Sequence, residues 1–522
     1  MVKRRDPSGL RRCVCWCLLA AAFLLTLLFL VAEGWLLRFP FQRDYGEGHV
    51  LWMTQQILDA GKAYRPIDSP PYVVFPYPPL YMLATRLANV FLDDLLLAGR
   101  ALSLFSGLGI GVALALTVMF SASARAPLLW RSASGAFAGV LPLLADNVVG
   151  WASLMRVDML ALFLMYAGLG VYIVMGRRER WQYLAAVLFV LALFTKQTTL
   201  SAPLACLVFG LLLDRRRTIR VGACAAALTL AGALYWNVVT HGGFLTHVLE
   251  YNINPFSWKE AGYQFYRHAH EFSPWLVVAA VAFLSILTPV AARQRGWRLF
   301  LRARSASPFG RAVLLSGLNC AFAAIATLSV GKLGASSNHL LIWDISICLL
   351  CGFFLFRVLT TWAAGWKHCT AAGLTCILLP LSLMAPPVSL LDALLHNSQA
   401  QYSRQSDAEA MRAIRRTRGP VFSENLLLLA QAGKTVEAEP ATITFLAYAG
   451  RWDERPYVRM FDEQHFSLLV VYDIQFRDRF TPATRNAIER AYVLDQRIGG
   501  YSLYRPRQRT SLPNRREGVE IR

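Results

Sequence analysis

A polytopic bundle of membrane helices followed by a small α/β unit is the fold this sequence predicts, and three observations predict it. Hydrophobic residues make up 56% of the 522 positions, and the mean hydropathy is +0.40, above what a water-soluble domain carries. The apolar residues fall in about eleven runs long enough to count as candidate spans. The gaps between those runs alternate. One set is dense in arginine; the other is poorer in arginine and carries isolated Asp, Glu, Lys and His residues tight against the apolar ends.

The runs can be taken in order. Lys3, Arg4, Arg5, Arg11 and Arg12 precede an apolar run that ends near Leu37. It is longer than a signal-peptide core and shows no small-x-small cleavage site, so it reads as an uncleaved signal anchor with its N-terminus in the cytoplasm. Runs follow at 100–121, 133–150 and 159–175, the last closed by Arg177, Arg178 and Arg180. Two short runs, 182–195 and 199–213, flank Thr195-Lys196-Gln197-Thr198 and end at Arg215, Arg216, Arg217 and Arg220. The run 221–240 leads into a polar, aromatic loop over 241–274. The run 275–291 leads into a basic loop carrying Arg293, Arg295, Arg298, Arg302, Arg304 and Arg311, and runs at 312–330, 340–356 and 370–386 complete the set. Threaded as alternating spans, these put every dense arginine cluster on the cytoplasmic side. The stretch Leu80–Leu92 is too short to span. Counting it as a span would invert every later gap, so it is expected to lie along the membrane surface.

After Pro386 the pattern changes. A helix is expected over 407–416, a strand over 420–422, a helix over 424–432, a buried strand over 466–472, a helix over 482–491 and an edge strand over 501–504. The sequence thus divides into a membrane domain, 1–386, with a first extracytoplasmic loop over 38–99; a soluble α/β domain, 387–506; and a disordered tail, 507–522. Eleven spans place the α/β domain outside the cytoplasm.

The net charge of +21 is explained by topology, because much of the excess lies in short inter-helix gaps. No basic stripe interleaved with aromatics is present, so nucleic acid is not an expected partner. None of the ten cysteines lies in a long loop or after about residue 386, which predicts no disulfide framework there. Cys13, Cys15 and Cys17 could carry a lipid or a metal, but read more simply as filler at the start of the first helix.

The chemistry-bearing residues are the odd charges on the non-cytoplasmic side: Asp44, Glu47, Asp158, Lys196, Lys332 and His339. Charge near a bilayer is costly and points to function. Asp44 and Glu47 stand just before the amphipathic stretch Val50–Leu58, where a helix cap is the plainer reading. Phe75-Pro76-Tyr77-Pro78-Pro79-Leu80-Tyr81 is a rigid aromatic–proline segment, suited to an isoprenoid chain or a sugar ring, or to a stiff surface turn. The histidine cluster that a zinc site needs is missing near the two acids. A divalent ion held by a few carboxylates and a phosphate stays open.

The order of these segments resembles the GT-C glycosyltransferases. An acidic motif follows the first helix. Then come an amphipathic helix, the turn Gly61-Lys62-Ala63-Tyr64 and an aromatic-Pro-Pro-Leu-Tyr segment. The nearest group is the protein O-mannosyltransferase-like, family 39 type, which includes the lipid A aminoarabinose transferases. The resemblance continues through Met155-Arg156-Val157-Asp158-Met159-Leu160, Phe194-Thr195-Lys196-Gln197-Thr198 and Gly331–His339, and covers roughly residues 30–350. It implies an enzyme of the bacterial plasma (inner) membrane that moves a sugar from a polyprenyl-phosphate carrier to an acceptor hydroxyl at the outer face, inverting the anomeric centre. The acceptor would be a glycan, a lipid or a protein. Such a reaction needs a carboxylate to take the hydroxyl proton and a cation for the departing phosphate. In the family the first-loop motif is commonly an adjacent Asp-Glu pair. Here Gly46 takes the first place and Glu47 the second, with Asp44 displaced by two, so the base lies between Glu47 and Asp44, with Glu47 favoured by alignment of the following helix. The resemblance makes Asp158 the second acid, orienting the first loop or the acceptor, with Arg156 as its partner. Lys196 is the leading phosphate contact. Tyr77 stands where the lipid A enzymes place a phosphate-binding lysine, a place that Lys332 or Arg65 could fill. Tyr77, Pro78, Pro79, Tyr81, Asn338 and His339 are expected to line the lipid and sugar groove. The competing readings are a polymerase or ligase of lipid-linked glycans, which would use an oligosaccharide-diphosphate donor, and a transporter or flippase. The latter is disfavoured because no inverted repeat is visible and the charges hug one face.

Overall fold

The computed structural model describes residues 7–268, 305–361 and 398–507. These fall into two compact units, one formed by 1–66 and 74–399, the other by 67–73 and 400–522.

The first unit is helical. Its elements are α1 (Pro7–Leu37), α2 (Tyr45–Gln56), α3 (Leu80–Leu92), α4 (Leu95–Ser121), α5 (Leu128–Val140), α6 (Asp146–Ala152), α7 (Asp158–Met175), α8 (Glu179–Thr195), α9 (Ser201–Leu213), α10 (Arg215–Val239), α11 (Gly243–Val248), α12 (Pro308–Thr327) and α13 (Leu341–Thr361). Among the described residues six helices are long and apolar enough to cross a membrane, within α1, α4, α7, α10, α12 and α13. The chain is a membrane protein. The run expected as one span over 133–150 is instead a bent pair. The last turn of α5 passes into a 3-10 turn, Leu141–Leu144, and α6 leaves at 72°. Pro142 sits at the start of that turn, where its missing N–H and its ring oppose continuation of the helix. The helices α8 and α9 flanking Lys196 have 17 and 13 residues. The expected spans at 275–291 and 370–386 lie outside the described residues, as do most of the basic loop between 293 and 311 and the tail from 508.

Two devices hold the bundle together. At the α4–α5 crossing, a methyl group on either Gly111 or Gly139 would stand 2.6 Å from the other's carbonyl oxygen, so the two backbones touch, the close approach that small residues permit in membrane helices. Deeper in, Ser201 Oγ donates to Asn319 Oδ1 (2.8 Å), Asn319 Nδ2 donates to Ser346 Oγ (2.8 Å), and Tyr166 Oη donates to the Ile342 carbonyl (2.6 Å). This buried polar ladder ties α7, α9, α12 and α13. The helix α3 has one buried edge, at Tyr81, Met82 and Thr85, while Leu87, Val90 and Phe91 are 67%, 76% and 83% exposed.

The second unit carries a four-stranded mixed sheet of β1 (Val421–Ser423), β2 (Leu468–Val471), β3 (Tyr492–Ile498) and β4 (Tyr501–Pro506) in the order β1-β2-β4-β3. The β1–β2 pair is parallel; the other pairs are antiparallel. The strand expected at the edge, 501–504, is therefore interior. The true edge is β3, which the sequence reading missed because only Tyr492 of its seven residues is buried, leaving no hydrophobic alternation. Helices Pro440–Tyr448 and Arg455–Asp462 were also missed. Both start with an acid followed within two residues by proline; in the first, Glu439 caps the amides of Ala441 and Thr442.

Part of the first loop belongs to this unit. The Tyr72 amide donates to the Glu437 carbonyl (2.8 Å), the Glu439 amide donates to the Tyr72 carbonyl (3.0 Å), and Trp452 Nε1 donates to the Ile67 carbonyl (2.7 Å). The Tyr72 ring packs edge-on against Trp452 and Tyr457 at 5.4 and 5.8 Å. Replacing Tyr72 by alanine should destabilise this unit by about 3–5 kcal/mol. Hydrogen exchange should locate the loss at residues 437–439 and 452–461, with the first unit unchanged.

Candidate functional site

The site begins where α1 gives way to α2. Asp44 is the N-cap of α2, its Oδ1 accepting from the Gly46 amide at 2.9 Å. Glu47, one turn in, is wholly buried. Its carboxylate receives four N–H groups: Arg100 Nε and Nη2 at 2.8 Å each, the Arg43 amide at 2.7 Å and the Met155 amide at 2.9 Å. Burial alone would raise the proton affinity of Glu47, but the Arg100 fork and the two backbone amides outweigh it and hold the group below the ordinary glutamate range. A carboxylate with every lone pair engaged is an anchor. The sequence reading that favoured Glu47 as the base is at odds with this geometry.

Asp44 differs. Its side chain is 27% exposed and pairs with Arg156 Nη1 at 2.9 Å. Gly46 makes that pair geometrically possible. A Cβ at position 46 would lie 1.3 Å from Arg156 Nη1, so the guanidinium fills the volume a side chain would need. Arg156 also donates from Nη2 to Tyr77 Oη (3.3 Å), lies 5.2 Å over the Trp151 ring and brings Nε to 4.0 Å from Asp158 Oδ2. Asp158 in turn accepts on Oδ1 from Lys196 Nζ (2.5 Å) and from Asn338 Nδ2 (3.0 Å), and its Oδ2 has no hydrogen-bond partner among the described residues. One chain of opposed charges, Asp44–Arg156–Asp158–Lys196, thus joins three segments distant in sequence. It borders a small pocket, with room of about 20 Å³, lined by Asp158, Lys196, Thr199, Ser329, Asn338 and His339. His339 Nδ1 meets Ser329 Oγ at 2.7 Å.

The remaining candidates divide. Pro79 lines a second, apolar groove of about 320 Å³, formed with Leu83 of α3, Val190 and Phe194 of α8, and Leu228 and Trp236 of α10. Pro78 is buried. Tyr81 corrects its assignment to the groove: its ring is buried and its hydroxyl donates to the Gly99 carbonyl (2.8 Å), pinning α3 to α4. Helical spacing explains the split, since Tyr81 and Leu83 point to different sides of α3. Lys332 pairs through its backbone with Phe256 and acts on the pocket through its charge near His339. Arg65 enters through its carbonyl, which accepts from His247 Nε2 at 2.8 Å. Among the described residues no three His, Cys, Asp or Glu side chains converge as a metal site would need.

The sequence reading missed Arg100, Arg43 and His247. Arg100 stands at the start of an apolar run, a charge tight against an apolar end, which is the signal used for Lys196. His247 holds the first loop in shape: Nδ1 accepts from the Phe75 amide (2.9 Å) while Nε2–H donates to Arg65. Burial lowers its pKa to about 4.

Two outcomes follow. Glu47→Gln should destabilise the first unit by about 3–5 kcal/mol, because Arg100 is left as an uncompensated buried charge. Thermal unfolding in detergent measures it, and adding Arg100→Met should recover part of the loss. The second concerns pH. The unfolded chain protonates His247 near its ordinary 6.5, the folded chain only near 4. Its contribution is complete above pH 6.5 and is lost as pH falls toward 4, reaching about 3 kcal/mol. Proteolysis of the 60–80 loop should rise over that window, and His247→Asn should flatten the dependence.

No family model and no curated protein sequence matches the chain. Solved structures do. ArnT from Cupriavidus metallidurans, bound to undecaprenyl phosphate, aligns with a TM-score of 0.60 at 15% identity over 93% of this chain and 98% of that one. Its apo state gives 0.59 at 16% identity, over 93% and 97%. The oligosaccharyltransferase AglB from Archaeoglobus fulgidus, in complex with an inhibitory peptide and a dolichol-phosphate, gives 0.53 at 11% identity, over 96% of this chain and 75% of that one. Across nearly its full length, therefore, the chain has the fold of the GT-C membrane glycosyltransferases.

Proposed function

We propose that the protein transfers a sugar from a polyprenyl-phosphate carrier to an acceptor hydroxyl at the extracytoplasmic face of the plasma membrane, with inversion. The observation that carries the reading is the charge chain Asp44–Arg156–Asp158–Lys196, which links a part-exposed carboxylate through Arg156 to Asp158 and Lys196 in the lining of a pocket. Asp44 serves as the base. It accepts the proton of the acceptor hydroxyl as the oxygen attacks the anomeric carbon. The bond from that carbon to the phosphate oxygen breaks, and the phosphate leaves with the electron pair, stabilised by Lys196 and Arg156. Asp158 holds both cations in place. The apolar groove at Pro79 and Phe194 suits the first isoprene units of the carrier, since Tyr77, two residues before Pro79, touches Arg156, and Lys196 lies two residues after Phe194. The fold shared with proteins that bind undecaprenyl phosphate and dolichol-phosphate supports the choice of carrier. The acceptor class is a glycan, lipid or protein hydroxyl.

The reading predicts that Asp44→Asn lowers transfer by about 10²–10⁴-fold without changing thermal stability, and that Lys196→Met raises the donor KM and lowers kcat together. Transfer is measured by mass analysis of membrane glycolipids and glycoproteins, or as sugar release from the purified protein in nanodiscs. Full activity in both variants would refute it. Activity with a diphosphate-linked oligosaccharide, but not with a monophosphate-linked sugar, would favour a glycan polymerase or ligase.

A further inference from the structure

The pocket beside Lys196 contains a histidine whose protonation state can be worked out from its neighbours. Ser329 has one hydroxyl proton, and it is committed: Oγ donates to the Ala326 carbonyl at 2.7 Å. With its proton on that carbonyl, Ser329 Oγ accepts from His339 Nδ1, 2.7 Å away, and this pairing selects the Nδ1–H tautomer. Nδ1 carries a proton, and the neutral ring then presents a bare lone pair at Nε2, which has no hydrogen-bond partner among the described residues. The ring lines the pocket with Lys196, Asp158, Asn338 and Thr199.

An anion entering this pocket meets a lone pair where it needs a donor. The charged groups around the ring explain why the lone pair is bare. Burial disfavours the imidazolium, Lys196 disfavours it next, and Lys332 and Arg156 add to that against the opposing pull of Asp158, so that the resting pKa falls to about 3. A phosphate opposes these influences: its negative charge offsets the field of the neighbouring cations and supplies a counter-ion for a buried imidazolium.

We infer that His339 takes up a proton when the carrier phosphate binds, and then donates Nε2–H to a phosphate oxygen while Nδ1–H stays on Ser329. The inference rests on the reading of this pocket as the carrier-phosphate site and adds a proton to it. The balance is simple. One proton passes from solvent to Nε2 on binding, and none is transferred to the phosphate. During transfer the acceptor's proton goes to Asp44, the phosphate gains the electron pair of the broken bond, and the imidazolium faces the new charge. His339 then loses its proton to solvent as the carrier departs, which makes product release proton-linked.

Calorimetry with farnesyl phosphate as probe tests this. The full chain is held in nanodiscs at pH 8, where the probe is a dianion, and titrations in buffers of different ionisation enthalpy count the protons exchanged. The expected result is uptake close to one proton per probe bound, and an affinity that falls about tenfold for each pH unit raised. His339→Gln keeps a donor but cannot titrate, so it should bind the probe with uptake near zero and a flat pH profile. Binding without uptake in the unmodified chain, or the same uptake in the glutamine variant, would overturn the inference while leaving the carrier reading intact. Absence of farnesyl phosphate binding would overturn both.

Discussion

The ion pair between Glu47 and Arg100 is the constraint on which the site depends. Both side chains are completely buried. Arg100 fills its remaining N–H groups with the carbonyls of Leu37 (3.4 Å), Phe39 (2.5 Å) and Phe41 (2.7 Å), and Glu47 fills its remaining lone pairs with the amides of Arg43 and Met155. The exit from α1, the start of α2, the first turns of α4 and the loop before α7 therefore meet on one pair. Neither charge can be surrendered alone, because the survivor would be left desolvated. The arrangement is expensive to assemble and rigid once made. Its result is positional: Asp44 stands three residues before Glu47 and Arg156 one residue after Met155. The two residues that open the proposed site are thus each placed by a neighbour locked into the pair.

Two carboxylates three residues apart have been given opposite duties by their surroundings. Glu47 is surrounded by donors and can take no further proton donor. Asp44 keeps one face toward solvent and holds a single guanidinium. What separates the two environments is a missing side chain. The volume at Gly46 is occupied by Arg156, so an arginine from the second loop sits between the acids and orients the exposed one. Any side chain at that position would push the guanidinium out and leave Asp44 a simple helix cap.

Much of this was legible in the sequence, and the reasons for the exceptions are physical. The alternation of arginine-rich gaps located the helices and put Asp44, Asp158, Lys196 and His339 on one side, because charge near a bilayer is tolerated only where it is useful. The site's assembly was visible only as common sidedness. Arg100 was overlooked because it opens an apolar run and its partners come from residues 39, 41 and 47, more than fifty positions away. Glu47 was favoured over Asp44 by register, and register carries no information about which acid is enclosed. The bend at Pro142 was masked by unbroken hydropathy on both sides. In the second unit the hidden elements were those with little apolar burial, such as β3, or those completed by a remote strip, as residues 67–73 complete the surroundings of Trp452 and Tyr457.

The charges of the proposed site also bear on the kind of donor it accepts. Asp44 and Arg156 cancel, as do Asp158 and Lys196, leaving Lys332 as the excess cation whose field reaches His339. A sugar phosphodiester carries a single negative charge and matches that excess. A diphosphate-linked donor brings a second charge into the same buried volume, where an unpaired anion is poorly tolerated. When the sugar departs, the carrier becomes a phosphate monoester and acquires its second charge in place. A protonated His339 is the group positioned to match that charge as it appears. A monophosphate donor, as proposed, thus calls for a titratable cation in the pocket, and among the described residues lining that pocket His339 is the one whose side chain can gain a proton as the phosphate charge grows.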